Sequence, residues 1–95
     1  MPYSLEWTKN ALTDLKALDK PIKAFVANSL TEFIDSFDAE YENNLIKTGK
    51  IKALKGDWSG FYRLKLRTYR VIYTKEADKL IVLVVRISHR KDVYE

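Results

Sequence analysis

The segment FYRLKLRTYRVIYT, residues 61–74, decides the fold because apolar side chains recur at every second position. A period of two is typical of a β-strand with one buried face. The apolar positions are Tyr62, Leu64, Leu66, Tyr69, Val71 and Tyr73. A two-residue connection at Arg67 and Thr68 fits a hairpin, although neither residue is Gly or Asn. The segment therefore predicts two antiparallel strands that bury these side chains together.

This hairpin would fix the partners of its charged residues. With Arg67 and Thr68 in the turn, Lys65 lies opposite Arg70, and Arg63 lies two residues along on the same face. Like charges opposed across strands destabilise a sheet, so we interpret the placement as serving an anionic ligand. Aligned cations suit a phosphate or a phosphorane transition state. The alternatives are a register shifted by one residue, or a face that is merely solvated.

The residues before the hairpin predict a strand and two helices. Alternation over 3–7 indicates a short strand, Thr8 is a suitable helix cap, and Pro21 is tolerated in the first turn of a second helix. The first helix carries apolar residues at Ala11, Leu12, Leu15 and Leu18, and the second at Ile22, Phe25, Val26, Leu30, Phe33, Ile34 and Phe37. Both stripes have helical spacing, which predicts an antiparallel helical hairpin with a buried face.

The remaining segments complete the predicted architecture. Residues 38–49 are polar, and we expect a solvated loop with room for a helical turn, in preference to a magnesium site at its carboxylates. The nearly continuous apolar run at 80–87 predicts a central strand covered on both faces. The expected fold is a single α+β domain over residues 1–95, in the order β-α-α-β-β-β, with the helical hairpin on one face of an antiparallel sheet.

Composition excludes several classes of site. The 95 residues include no Cys and one His, so a disulfide framework, a thiolate nucleophile and a His-cluster metal centre are excluded. The start of the chain lacks a signal-peptide pattern and no apolar run reaches the roughly 18 residues of a membrane span, so we expect a cytoplasmic protein. Residues 1–49 carry five Lys and Arg against eight Asp and Glu, and residues 50–95 carry twelve against five. The basic second half favours a polyanionic ligand.

The tail adds groups that can act on such a ligand. His89 is the residue type that most often transfers protons near neutral pH, and Arg90 follows it directly. Tyr94 could stack on an unpaired base. Each of these residues has an alternative role, either as a solvated side chain or in packing.

Four ordered segments resemble the RelE/ParE toxin superfamily: LKG at 54–56, GFYRLK at 60–65, YRVIY at 69–73 and HRKDVY at 89–94. The resemblance spans essentially the whole chain. It implies a compact toxin that resembles microbial ribonucleases and works without metal or cofactor. RelE-type members cut mRNA in the ribosomal A site, and a cognate antitoxin protein silences them. No membrane partner is implied.

The resemblance also implies roles for individual residues. The expected catalytic residues are Lys65, Arg70, His89, Arg90 and Tyr94, and the expected substrate contacts are Arg63, Arg67, Arg86 and Lys91. The general base stays open between Lys65 and His89, because Arg63 replaces a Lys of some members and a guanidinium does not deprotonate. Two other functions also stay open. One is a ParE-type inhibitor of DNA gyrase, which is not an enzyme, and the other is a general basic RNA-binding domain.

Overall fold

The computed structural model describes residues 3–87, with side chains through Leu83. Its elements are β1 (Ser4–Trp7), α1 (Lys9–Lys16), α2 (Lys20–Ser36), α3 (Ala39–Thr48), β2 (Ile51–Ala53), a 3₁₀ turn (Gly56–Trp58), β3 (Phe61–Leu66), β4 (Tyr69–Glu76) and β5 (Lys79–Ile87). The strands form one sheet in the order β1-β5-β4-β3-β2. The α+β class is confirmed.

The sheet differs from the expected one at both edges. β1 pairs with β5 in parallel, whereas the other neighbours pair antiparallel, so the sheet is mixed. The short strand β2 was not predicted, because three residues with a single buried side chain, Ile51, give no readable alternation. These two short strands flank the three long ones, which carry the predicted hairpin and the central strand.

The prediction of a loop at residues 38–49 is wrong, because ten of these residues form α3. Asp38 caps the helix by accepting a 2.8 Å hydrogen bond from the backbone N–H of Tyr41. Gly49 ends it with a φ of 85°, in the left-handed region that glycine adopts without a steric penalty. Both signals are present in the sequence. The apolar stripe between them is short, because Glu42 occupies one of its buried positions.

The first two helices begin where the sequence predicts. The hydroxyl of Thr8 accepts a 3.1 Å hydrogen bond from the backbone N–H of Ala11 and so caps α1. Asp19 precedes α2, with Pro21 in its first turn. The predicted stripe of α2 faces the sheet, where Val26, Leu30 and Phe33 are buried. The core therefore lies between the helices and one face of the sheet, while Arg63 and Ile72, which pair with each other on the opposite face, are also buried.

Candidate functional site

The register of the β3–β4 hairpin is the one predicted. Leu66 pairs with Tyr69, Lys65 with Arg70 and Leu64 with Val71. Arg67, in the two-residue turn, has a φ of 56°. Leu64, Leu66, Val71 and Tyr73 are buried in the core beneath the helices. Because side chains alternate along a strand, Lys65 and Arg70 belong to the opposite face of the sheet.

Lys65, Arg70 and Arg86 occupy one row across β3, β4 and β5, which we name the cation row. Lys65 lies opposite Arg70, and the register position opposite Arg70 on β5 is Arg86. Directly opposed residues have their Cβ atoms about 5 Å apart. The side chain of Lys65 is exposed and that of Arg70 is half-buried. Lys65 and Arg70 thus occupy directly opposed positions, and Arg86 holds the next position in the same register.

A bulge in β5 brings Arg86 into this row. Tyr73 pairs with Val82 and Ile72 pairs with Val84, so Leu83 is an extra residue between the two pairs. Without this extra residue, Val85 would occupy the position opposite Arg70. The hydroxyl of Thr8 donates a 3.2 Å hydrogen bond to the carbonyl oxygen of Leu83. Thr8, which caps α1, therefore also hydrogen-bonds to the bulge that places Arg86 opposite Arg70.

Arg63 lies two residues along β3 from Lys65, as expected, but it is not an exposed member of the face. Its side chain is 7% exposed, and its Nη2 donates a 2.9 Å hydrogen bond to the carbonyl oxygen of Gly49. Lys52, which the sequence reasoning did not single out, is exposed at the register position opposite Arg63. Arg63 thus joins β3 to the end of α3, beside the cation row.

Arg67 lies away from the cation row. Its guanidinium carbon lies 4.3 Å from the centroid of the Phe25 ring, on the helix side of the sheet. Arg67 was one of the expected substrate contacts. Its position in the turn and its contact with α2 separate it from Lys65 and Arg70. His89, Arg90, Lys91 and Tyr94, the expected site residues of the tail, lie outside the described residues.

A second polar cluster lies on the helix side, where the sequence reasoning placed only apolar packing. Glu42 is 4% exposed and accepts 2.6 Å hydrogen bonds from the Tyr73 hydroxyl and the Lys75 ammonium. The Lys75 nitrogen also lies 4.7 Å from the centroid of the Tyr62 ring. A missed helix hid this cluster, because Glu42 faces β4 only when residues 39–48 are helical.

Tyr73 and Lys75, the two proton donors of this cluster, both have raised pKa values. Burial, followed by the hydrogen bond and charge of Glu42, raises the pKa of the Tyr73 hydroxyl far above its ordinary value. Partial burial opposes the charge on Lys75, but the hydrogen bond and charge of Glu42 outweigh it and raise the pKa of that ammonium. Neither group is poised to transfer a proton near neutral pH. The cluster therefore joins α3 to β4 and lies apart from the cation row.

Within residues 3–87, no group of three or more His, Cys, Asp or Glu side chains could hold a metal ion. No helix in that same range is long and apolar enough to cross a membrane.

Comparison with known proteins identifies the family. Residues 5–94 match the family model described as the ParE toxin of the type II toxin–antitoxin system parDE. The chain is 27% identical over 94 residues to toxin RelG of Mycobacterium tuberculosis strain ATCC 25618 / H37Rv, covering 99% of this chain and 98% of that protein.

Solved structures show the same fold. The archaeal RelE–RelB complex from Pyrococcus horikoshii OT3 matches with a TM-score of 0.68 and 20% identity, over 95% of this chain and 99% of that chain. The intact RelBE toxin–antitoxin complex of E. coli matches with a TM-score of 0.63 and 21% identity, over 93% and 99%. The chain therefore belongs to the ParE toxin family of type II toxin–antitoxin systems, within the RelE/ParE superfamily.

Proposed function

We propose that this toxin is an endoribonuclease that cuts mRNA in the ribosomal A site and so inhibits translation. The observation that carries the proposal is the cation row, in which Lys65 lies opposite Arg70 and Arg86 follows at the next register position. A sheet that opposes like charges loses stability unless an anion bridges them. The phosphodiester of a bound RNA is such an anion, and its charge grows in the transition state.

The proposed reaction uses the ribose 2′-hydroxyl as the nucleophile. Its oxygen attacks the adjacent phosphorus, the bond from phosphorus to the 5′ oxygen breaks, and the products are a 2′,3′-cyclic phosphate and a 5′-hydroxyl. One group takes the proton of the 2′-hydroxyl and another donates a proton to the leaving oxygen. Arg70, with Arg86 at the neighbouring register position, neutralises the phosphorane charge, so this reaction needs no metal. DNA is not a substrate because it lacks the 2′-hydroxyl.

The remaining roles rest on the family resemblance. Lys65 or His89 moves the protons, Arg90 adds charge at the phosphorane, and Tyr94 stacks on or orients a base. Lys91 adds positive charge toward the RNA strand, whereas Arg67 lies on the helix side of the sheet and has no part in this proposal. Because this set contains few strong acid–base groups, the ribosome is expected to orient the 2′-hydroxyl in line with the leaving oxygen.

The proposed protein partner is a cognate antitoxin. Both solved structures described above are complexes of a RelE toxin with its RelB protein. The second half of this chain carries twelve Lys and Arg against five Asp and Glu, so it would attract an acidic partner. Growth inhibition by the toxin expressed alone, relieved by the product of the adjacent gene, is the expected result. A harmless toxin that binds no such product would contradict this part of the proposal.

One observation favours a second function. The matching family model is described as a ParE toxin, whereas the curated relative is named RelG. A ParE-type toxin would bind DNA gyrase and catalyse nothing. The same fold serves both activities, so the fold cannot separate them. The cation row favours RNA cleavage, because a protein-binding toxin has no need for opposed cations.

A translating extract tests the two functions side by side. We expect the added toxin to produce discrete mRNA cuts within the reading frame, mapped by primer extension, and to leave mRNA intact when ribosomes are removed. A gyrase supercoiling assay with the same preparation should show no inhibition. Intact mRNA together with blocked supercoiling would reject the ribonuclease and support gyrase inhibition.

A further inference from the structure

Trp58 and Phe61 form an aromatic pair at the start of β3, the end farthest from the hairpin turn. Their ring centroids lie 5.4 Å apart at an interplanar angle of 81°, which is an edge-to-face contact. Both side chains are partly exposed, and neither belongs to the hydrophobic core nor packs against it. The pair therefore presents aromatic surface that the packing of the helices on the sheet does not use.

Hydrogen bonds close the loop that carries Trp58 and fix the position of the aromatic pair. The backbone N–H of Leu54 donates a 2.9 Å hydrogen bond to the carbonyl oxygen of Phe61. The hydroxyl of Thr74, at the register position opposite Phe61 on β4, donates a 2.8 Å hydrogen bond to the carbonyl oxygen of Gly60. Because both ends of the loop are held in this way, little further ordering is needed when a ligand binds.

The aromatic pair lies on the same face of the sheet as the cation row. Side chains alternate along a strand, so Phe61, Arg63 and Lys65 share one face of β3. At about 3.3 Å per residue, Phe61 and Lys65 are about 13 Å apart along the strand. The register position of Lys52, opposite Arg63 on β2, lies between them, and its side chain is exposed. This face therefore runs from aromatic rings at one end of β3 to cations at the other.

We propose that Trp58 and Phe61 stack on an unpaired base of the mRNA beside the phosphodiester that is cut, a proposal that rests on the ribonuclease function proposed above. A single strand lies along a protein surface when cations neutralise its phosphates and aromatic rings stack on its bases. Asp57, next to Trp58 in the 3₁₀ turn, is exposed, and its carboxylate disfavours a phosphate there. The rings therefore take a base, and the cation row takes the phosphate.

Stacking on the aromatic pair makes cleavage depend on the neighbouring base. Every base has a face that can stack, so no sequence is excluded. A purine offers a larger stacking surface than a pyrimidine, and we expect faster cleavage where a purine occupies the aromatic pair. This preference arises from stacking strength and does not need hydrogen bonds to the edges of the base.

The first measurement follows the fluorescence of Trp58 while RNA is added. Trp7 is the other tryptophan of the chain, so Trp58 is the one tryptophan left in Trp7→Phe toxin. The probe is a short single-stranded RNA with 2′-O-methyl groups, which lacks the nucleophile and stays intact. We expect this RNA to quench Trp58, and inorganic polyphosphate, which has charge but no bases, to leave the fluorescence unchanged. Unchanged fluorescence with the RNA, whether or not it binds, would overturn the proposal.

The second measurement is single-turnover cleavage on programmed ribosomes at limiting toxin. Trp58→Leu and Phe61→Leu keep apolar side chains but remove a ring, and each should slow cleavage at least about fivefold, the lower limit for one stacked base. Trp58→Tyr keeps a ring and should restore most of the rate. Phe25→Leu removes a ring on the helix side of the sheet and is the matched control, with unchanged cleavage expected. Thermal denaturation identifies the variants that fold, and the fluorescence measurement keeps both rings and does not depend on them.

An abasic nucleotide, placed in turn at each position beside the cut, links the rings to one base. At one of these positions it should slow the wild-type toxin as much as Trp58→Leu does, and it should slow folded Trp58→Leu no further. Additive losses at every position, or wild-type cleavage by folded Trp58→Leu, would overturn the proposal and leave the ribonuclease in place.

Two further outcomes separate this proposal from the others. If the wild-type toxin cuts no mRNA but the methylated RNA still quenches Trp58, the ribonuclease proposal fails and the base contact of the aromatic pair stands. If Trp58→Leu and Phe61→Leu bind the product of the adjacent gene more weakly and cut mRNA at the wild-type rate, the rings belong to the antitoxin interface and the proposal is overturned.

Discussion

Arg63 Nη2 donates a 2.9 Å hydrogen bond to the carbonyl oxygen of Gly49, the left-handed residue that ends α3. One residue farther on, the carbonyl oxygen of Lys50 accepts a 2.9 Å hydrogen bond from the backbone N–H of Lys65. The turn between α3 and β2 is therefore hydrogen-bonded to β3 at two successive residues. This attachment gives Arg63 a structural role beside the cation row.

The first prediction concerns this attachment. Arg63→Ala should lower the free energy of unfolding by about 1.5–3 kcal/mol, the range for a hydrogen bond to a charged group. Urea denaturation measures the change. Lys52→Ala removes an exposed cation at the opposing register position and should change stability by less than about 0.5 kcal/mol. Equal stability of Arg63→Ala and the wild-type protein would deny Arg63 a structural role.

The second prediction concerns the cation row. Lys65→Ala and Arg70→Ala should each slow mRNA cleavage at least about tenfold, which corresponds to about 1.4 kcal/mol of transition-state stabilisation. Neither side chain belongs to the hydrophobic core, so the melting temperature should change little. Primer extension and thermal denaturation measure the two effects. A parallel loss of folding and cleavage would show that these cations are structural.

How far the sequence predicts this site depends on the element. The pairing of Lys65 with Arg70 was predictable because the alternation on both sides of Arg67 and Thr68 allows one way to bury the apolar face. The burial of Arg63 was not predictable, because alternation assigns a residue to a face of the sheet and does not show what covers that face. Gly49 reaches Arg63 only through α3, the helix that sequence reasoning took for a loop.

The register position of Arg86 depends on a bulge that the sequence does not predict. The run at 80–87 is apolar at nearly every position, so its periodicity cannot show that Leu83 is an extra residue. The burial of Glu42 in its cluster could not be predicted for a related reason. A glutamate in a polar segment is usually solvated, and only the helix geometry turns this one toward Tyr73.

The third prediction tests the bulge. Thr8→Val removes both the cap of α1 and the hydrogen bond to the Leu83 carbonyl oxygen, and it should cost about 1 kcal/mol of stability. Thr8→Ser keeps the hydroxyl and should retain most of the wild-type stability. If the bulge sets the cation row, Thr8→Val should also slow cleavage under conditions in which the protein stays folded. Wild-type cleavage in folded Thr8→Val would show that the row does not need this anchor.

The fourth prediction concerns stability in alkali. The pKa values of Tyr73 and Lys75 are raised above their ordinary values of 10.0 and 10.5. The folded state therefore holds more protons than the unfolded state at high pH, and stability should fall as the pH rises above about 10. Tyr73→Phe removes one of the two groups. This variant should be less stable at neutral pH because it loses the bond to Glu42, yet its stability should fall less steeply between about pH 9 and about pH 11.

Chemical denaturation across that pH range measures both slopes. Tyr3→Phe removes a hydroxyl outside the Glu42 cluster and is the matched control, with the wild-type slope expected. Equal slopes for wild type and Tyr73→Phe would contradict the assignment of the alkaline loss to this cluster.

The last prediction separates two roles of Lys65. A lysine can release a proton as well as carry charge, whereas an arginine stays protonated at any pH at which the protein is folded. If Lys65 moves a proton, Lys65→Arg should bind RNA with nearly wild-type affinity and still lose at least about tenfold in cleavage rate. If Lys65 acts only through its charge, Lys65→Arg should retain most of the cleavage that Lys65→Ala loses. In that case His89 would be the base, and His89→Gln should remove the pH dependence of the cleavage rate near neutral pH. Single-turnover cleavage on programmed ribosomes, measured across pH for Lys65→Arg and His89→Gln, decides which residue serves as the general base.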